Sequence, residues 1–170
     1  ELTEELKVFA DALIEAMFAF DGLGLAAPQV GRSIRMIALA VPRPADKQED
    51  GSPAPQLQLS QGEIELLPKM PMVILNPEII EYGKETSKSE EGCLSLPDIY
   101  APVTRPATIT VKGEILGGAP FVLTCGGLLA RALKNKIEHL DGTVFVERLS
   151  PEDYLRVKKL IAEEKIGGLI

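Results

Sequence analysis

Three observations predict that this chain folds as a single α+β domain. Apolar residues recur every three or four positions near the N-terminus and between Gly127 and Leu140, which is typical of amphipathic helices. Short runs rich in valine, isoleucine and threonine lie between these two segments and favour strands. The 170 residues, 45% of them hydrophobic, suffice for one core and show no internal repeat. We therefore expect one domain over residues 1–170, with strands grouped around the helix that ends at Leu140.

Capping residues set the bounds of three predicted helices. The helices are predicted at Leu2–Phe20, Gly127–Leu140 and Ser150–Lys165. Thr3 is an N-cap residue for the first helix, and Gly22 follows its end. Asp141–Gly142 ends the second helix, and Pro151 suits the first position of the third.

The strands are predicted from short apolar runs bounded by turn residues. They are Ile34–Val41, Met72–Leu75, Ile79–Tyr82, Thr108–Val111 and Pro120–Cys125. The segment from Pro42 to Gln61 differs from them, because it holds four prolines and polar residues without a period. We expect it to be a surface insertion at about 42–61.

Composition and charge exclude several classes of protein. The formal net charge of −7 argues against direct binding of nucleic acid, whose phosphates attract basic surfaces. No apolar run approaches the roughly 20 residues that span a bilayer. The N-terminus lacks the basic stretch of a secretory signal, so we expect a protein that is not secreted and acts in a reducing compartment. Cys93 and Cys125 are accordingly expected to be free thiols.

Two short segments carry residues of possible chemical use. Gly22–Gln29 contains two glycines and two alanines, which by themselves fit an ordinary turn between a helix and a strand. Glu91–Ser95 places Cys93 directly after Gly92, so that the thiol could be presented to a site. A lone cysteine is more often a small buried hydrophobic residue.

A third segment, Lys134–Gly142, lies on the second predicted helix. Asn135 and His139 are four residues apart, hence roughly 40° apart around the axis and on one face. Two side chains of one helix can bind the same metal ion only if they share a face in this way. Taken alone, the single histidine of the chain could equally be a partly buried imidazole with its hydrogen bonds satisfied.

In this order and spacing, the three segments resemble the motifs of the peptide deformylase family, and the resemblance runs from about Leu6 to Leu149. It implies a deformylase-like fold, with antiparallel or mixed sheets around a central helix and with N- and C-terminal helices. It also implies metal-dependent hydrolysis of the N-formyl group from nascent peptides that begin with formyl-methionine. The metal would be iron, zinc or nickel, and the partners would be peptide N-termini near the ribosome, without a membrane or direct contact with nucleic acid.

The same resemblance implies roles for individual residues. Gln29 and the backbone N–H of Leu94 would donate to the formyl oxygen, and Cys93 and His139 would bind the metal. Glu91 and Arg105 would pair and brace the second motif. The substrate-binding residues would be Gly22, Leu23, Gly24, Leu25 and Gly92.

The third motif departs from the family pattern, which reads Gln-His-Glu-Ile-Asp-His-Leu. Asn135 stands at the first histidine and Lys136 at the general-base glutamate. The sequence therefore predicts impaired catalysis and weak or absent metal binding. Two other interpretations remain open: an active hydrolase with unusual metal ligation, and a protein that binds formylated or extended N-termini without cleaving them.

Overall fold

The computed structural model describes residues 3–19, 22–44, 51–52, 58–93, 96–142, 152 and 155. For 87–93, 96–100 and 103–105 it describes the backbone alone. The predicted C-terminal helix therefore lies outside the described residues except at Glu152 and Leu155, both of which are helical. Within the described ranges, no helix combines the length and the apolar character that crossing a bilayer requires.

The described residues form three α-helices and seven strands. The helices are α1 (Glu4–Ala19), α2 (Gln61–Leu66) and α3 (Gly127–Leu140), with short 3₁₀ turns at Ala27–Val30 and Leu67–Lys69. The strands are β1 (Gly24–Ala26), β2 (Met36–Leu39), β3 (Met72–Tyr82), β4 (Thr86–Cys93), β5 (Leu96–Pro106), β6 (Ile109–Ile115) and β7 (Pro120–Cys125). The α+β class predicted from the sequence is confirmed, and α3 has the predicted bounds.

The strands form one sheet and one ribbon. The sheet has five strands in the order β1-β2-β3-β6-β7, and β4 pairs with β5 in a separate two-stranded ribbon. Every pairing among the described strands is antiparallel. The sequence left antiparallel and mixed sheets open, and the structure selects the antiparallel arrangement for the described part.

Strand β2 is buried on both faces and separates two apolar clusters. Alternate residues of a strand point to opposite sides, so Ile37 and Leu39 pack in the cluster that includes α3. Met36 and Ala38 pack instead in the cluster that includes α1. The sheet is therefore covered by α1 on one face and by α3 on the other. Strand β1 pairs with β2 and contacts α3 at the edge of the sheet.

The capping prediction for α1 is confirmed. The Leu6 N–H donates to Thr3 Oγ1 at 3.2 Å, which satisfies one of the otherwise unpaired N–H groups of the first turn. Leu13 and Met17 point into the core against the sheet. The helix begins at Glu4, two residues later than the sequence pattern indicates.

Strand β3 replaces two predicted strands. The sequence pattern breaks at Asn76–Pro77, but the chain remains paired with β6 on both sides of that break. The register shifts between Leu75 and Glu78, and Asn76 adopts a positive φ of 49°. An irregularity of this kind lets a strand accommodate turn-forming residues without ending.

A partly buried polar junction connects α2 with the start of α3. Ser60 is the N-cap of α2, and Glu63 Oε2 accepts hydrogen bonds from the Ser60 N–H at 2.8 Å and from its hydroxyl at 2.7 Å. The Gly126 N–H donates to Ser60 Oγ at 2.9 Å. A Cβ atom at Gly127, whose φ is +59°, would lie 2.6 Å from Glu63 Oε1. The C-terminal end of the predicted insertion at 42–61 thus belongs to a helix that anchors α3.

Candidate functional site

The first motif forms the edge of the sheet beside α3. Gly24 pairs with Leu39 and Ala26 with Ile37, so the motif contains a strand that the sequence pattern did not predict. Three residues are too few for a strand pattern to be recognised. Gly22 is half-buried and Leu23 is exposed, whereas the Leu25 side chain lies in the core with α1. Leu25 can therefore line a cleft beside α3 only with its backbone.

Gln29 turns its side chain back toward this strand. It lies in the 3₁₀ turn Ala27–Val30, and its Oε1 atom accepts a hydrogen bond from the Ala26 N–H at 2.9 Å. The same oxygen accepts from the Lys136 ammonium at 3.4 Å. The residue expected to act as an oxyanion donor and the residue at the general-base position are therefore in direct contact.

The side chain of Lys136 runs across Gly24. A Cβ atom at Gly24 would lie 3.1 Å from Lys136 Cγ and 3.2 Å from Lys136 Cε. These distances are tighter than ordinary van der Waals contact, so the absence of a side chain at Gly24 provides the space for the lysine. Only 6% of Lys136 is exposed.

Helix α3 buries an unusual row of polar residues. The buried members of the third motif are Lys134, Asn135, Lys136, Glu138 and His139. Asn135 is 6% exposed, and its Nδ2 atom has no hydrogen-bond partner among the described residues. Burial of an unsatisfied amide donor is costly, which marks position 135 as a place where the residue and its surroundings are poorly matched.

Lys134 and Glu138 form an ion pair on the same helix. Lys134 Nζ lies 3.1 Å from Glu138 Oε1, with side-chain exposures of 9% and 7%. The ammonium also lies 4.6 Å from the centre of the Tyr82 ring at the end of β3. Both charges are therefore paired within the protein and shielded from solvent.

The second motif lies on the β4–β5 ribbon. Gly92 pairs with Tyr100 and Cys93 with Leu96, with a register shift between the two pairs. Leu94 lies outside the described residues, and only the backbone of Cys93 is described. The sequence pattern did not predict this ribbon, because Thr86–Cys93 is mostly polar and lacks an apolar alternation.

Glu91 and Arg105, which are predicted to pair, do not lie opposite each other on the ribbon but are offset by four positions. Glu91 pairs with Ala101, and Arg105 pairs with Ser87. Four residues of a strand extend about 13 Å. The two side chains could meet only by spanning this offset, so the pairing of Glu91 with Arg105 stays a prediction.

The structure brings part of the predicted site together. Gln29, Gly24 and Lys136 are in mutual proximity, and Asn135 and His139 are buried on the same helix. Among the residues with described side chains, no three histidine, cysteine, aspartate or glutamate residues are grouped to hold a metal ion. The ligand set predicted at Cys93, His139 and Asn135 therefore stays a prediction.

Comparison with solved structures identifies the class of fold. The chain superimposes on a peptide deformylase from Ehrlichia chaffeensis with a TM-score of 0.75 and 30% sequence identity, covering 100% of this chain and 88% of the other. A peptide deformylase from Synechococcus elongatus in complex with actinonin gives a TM-score of 0.75 at 28% identity, covering 97% of this chain and 77% of the other. The fold is that of the peptide deformylases.

Sequence comparison identifies the family. The profile described as polypeptide deformylase matches residues 1–154. A peptide deformylase of Erythrobacter litoralis is 37% identical over an alignment of 171 residues that covers 98% of this chain and 84% of the relative. One of Salinibacter ruber is 39% identical over 151 residues, covering 88% and 71%. This chain belongs to the peptide deformylase family, whose metal-dependent members remove the N-formyl group from nascent peptides.

Proposed function

We propose that this chain is a peptide deformylase-family protein with impaired hydrolysis. The observation that carries the proposal is the position of Lys136, which is buried and reaches the Gln29 side chain. A general base must accept a proton, whereas an ammonium group can only donate. Loss of a general base reduces the rate by about 10²–10⁴-fold in typical enzymes.

The described donor set does not fit a tightly bound transition metal. Asn135 could offer only an amide oxygen, which is a weak ligand for iron, zinc or nickel beside a thiolate and an imidazole. Its amide nitrogen is buried without a partner among the described residues, whereas a histidine at this position could bind a metal through a ring nitrogen. The adjacent Lys136 would add a positive charge close to a dication, which raises the cost of binding.

The remaining features support peptide N-termini as the ligands. The Gln29 amide and strand β1 are both present in this chain. They belong to the first motif, and in the family this motif lines the peptide-binding cleft. We expect the protein to meet these ligands on nascent chains near the ribosome, in the bacterial cytoplasm or an organelle. The net charge of −7 opposes direct contact with nucleic acid.

Metal content and turnover, measured on one preparation, test the proposal. Protein purified anaerobically should contain well below one transition metal per molecule, and it should not hydrolyse a formyl-methionyl peptide above background after iron, zinc or nickel is added. A matched Asn135→His/Lys136→Glu variant serves as the control for metal loading. Stoichiometric metal together with turnover in the unmodified protein would instead establish an active hydrolase with unusual ligation.

A further inference from the structure

We propose that Arg35 is a positioning residue for the third motif, because it ties the end of α3 that carries His139 to the irregularity in β3. The inference goes beyond the proposed function, since it concerns the placement of the histidine whether or not the chain hydrolyses a peptide. Three contacts of Arg35 carry it, two made by the guanidinium group and one by the backbone.

The backbone and the side chain of Arg35 both hold the irregular part of β3. The Arg35 carbonyl accepts a hydrogen bond from the Asn76 N–H at 2.8 Å, and the guanidinium donates to the Pro77 carbonyl at 3.0 Å. Asn76 has a positive φ of 49°, which few residues with a side chain adopt. Strand irregularities often redirect groups beside functional sites. Here the irregularity brings a main-chain acceptor within reach of Arg35.

The same guanidinium reaches the end of α3. Arg35 Nη1 lies 2.9 Å from Asp141 Oδ1, and Nη2 makes the contact with Pro77, so the two contacts use different nitrogens. Arginine suits this arrangement because its planar group presents several donors in fixed directions. A carboxylate at the C-terminal end of a helix lies beside the carbonyls of the last turn, which is unfavourable. The positive charge of Arg35 offsets this repulsion.

Asp141 is in turn bound to the helical turn that contains His139. Its N–H donates to the Ile137 and Glu138 carbonyls at 3.1 and 3.0 Å. The Gly142 N–H donates to the His139 carbonyl at 3.2 Å. Only 8% of His139 is exposed, so its ring has little room to compensate for a shift of its backbone. A displacement of Asp141 should therefore displace the imidazole.

The solvent exposure of the Arg35–Asp141 pair separates placement from stability. The two side chains are 41% and 55% exposed, and ion pairs of this kind contribute little to folding. Variants of either residue should therefore stay folded, which thermal unfolding and circular dichroism verify. Lys112→Met is a matched control, because Lys112 forms an equally long ion pair of 2.9 Å with Glu78, at exposures of 50% and 58%.

The experiment is an NMR measurement of the imidazole signals of His139, the only histidine of the chain, at constant pH with a metal chelator present. Arg35→Met and Asp141→Ala remove opposite charges. A change of electrostatic field alone would shift the signals in opposite directions and cancel in the double variant. A change of position should shift them in the same direction, and Arg35→Met/Asp141→Ala should reproduce the shift of either single variant.

Two further variants complete the measurement. Lys112→Met should leave the His139 signals unchanged. Arg35→Lys should produce a smaller shift than Arg35→Met, because lysine keeps the charge but lacks the planar group that holds two acceptors at once.

The consequence for catalysis is measurable in the Asn135→His/Lys136→Glu background. Adding Arg35→Met should lower kcat by about tenfold and leave KM unchanged, because a small displacement of an active-site group slows the reaction more than it weakens binding. Adding Lys112→Met should change neither constant.

Two results would overturn the inference. One is a set of His139 signals that Arg35→Met and Asp141→Ala leave unchanged or shift in opposite directions. The other is a kcat that Arg35→Met does not lower in an active background. An inactive background would count only against restoration of the site, and the histidine signals would still decide the role of Arg35. Turnover in the unmodified protein would refute impaired hydrolysis alone.

Discussion

Lys134 and Glu138 lie one helical turn apart on α3 and form a buried ion pair of 3.1 Å. These positions are glutamine and aspartate in the family motif, so this chain departs from it at both. An aspartate at 138 would carry the same negative charge as Glu138 on a side chain one methylene shorter, so the glutamate extends the carboxylate toward the Lys134 ammonium. The two departures therefore place opposite charges in contact on the helix.

Breaking this pair from one side should be costly. We expect Lys134→Met or Glu138→Gln to lower the free energy of unfolding by about 3–5 kcal/mol, because each removes one charge of a buried ion pair and keeps the other. The double variant Lys134→Met/Glu138→Gln should be clearly more stable than the sum of the single effects predicts. Urea unfolding of the four proteins measures the coupling, and additive losses would show that the pair has no energetic significance.

The two departures at the centre of the motif should be reversible together. We expect Asn135→His with Lys136→Glu to restore metal uptake and hydrolysis of a formyl-methionyl peptide, because the ligand and the base return in one step. Either change alone should leave hydrolysis undetectable, since a metal without a base and a base without a metal-bound water are both incomplete. Metal analysis and peptide turnover of all four proteins measure this non-additivity.

A metal-loaded but inactive double variant would contradict that expectation, since the cleft would then have diverged beyond the third motif. So would an unmodified protein whose turnover the double variant cannot improve. Adding Lys134→Gln and Glu138→Asp to the double variant is the informative extension, because it returns the helix to the polar pattern of the family.

The buried thiol of Cys125 should make stability depend on alkaline pH. Burial, with a smaller contribution from the nearby Glu63 carboxylate, raises the pKa of Cys125 from 9.0 to about 12. Above pH 9 the unfolded chain loses this proton while the folded chain retains it, so stability should decline as the pH rises from 9 toward 12. Unfolding midpoints at pH 8 and pH 10.5 should therefore differ more for the unmodified protein than for Cys125→Ala. Equal shifts in the two proteins would contradict the assignment.

The Pro-rich segment should be dispensable in its central part. We expect that replacing 45–57 with a glycine-serine linker of equal length leaves the thermal transition nearly unchanged, because its composition cannot bury much apolar surface. Ser60→Ala is the contrasting change, and it should cost about 1 kcal/mol because it removes the cap of α2. A large loss of stability from the linker replacement would mean that the segment packs against the domain.

How well an element could be predicted depended on how local its determinants are. Helix α3 was predicted with its observed bounds because its apolar stripe and its terminal glycines are short-range signals. The β4–β5 ribbon was missed, since pairing between strands, not a pattern within either one, defines it. Strand β3 was divided at Asn76–Pro77 because the bulge that carries it through depends on β6.

The same limit applies to the site. The sequence was enough to show that Lys136 stands where the family has its general base, because the third motif is contiguous. It could not indicate that the ammonium reaches Gln29, because that contact joins residues 107 positions apart and depends on the close approach of α3 to β1. The space at Gly24 that permits this approach is a property of the folded chain.

The short edge of the sheet has a consequence for any peptide that pairs with it. Strand β1 has only three residues, and among the described strands it pairs with β2 alone. Such an edge gives a second copy of the chain little backbone to pair with, which protects against aggregation through this side. It also limits the backbone pairing available to a bound peptide to a few residues. Affinity should therefore level off within the first residues of the ligand, and selection by amino-acid sequence farther along the peptide should be weak.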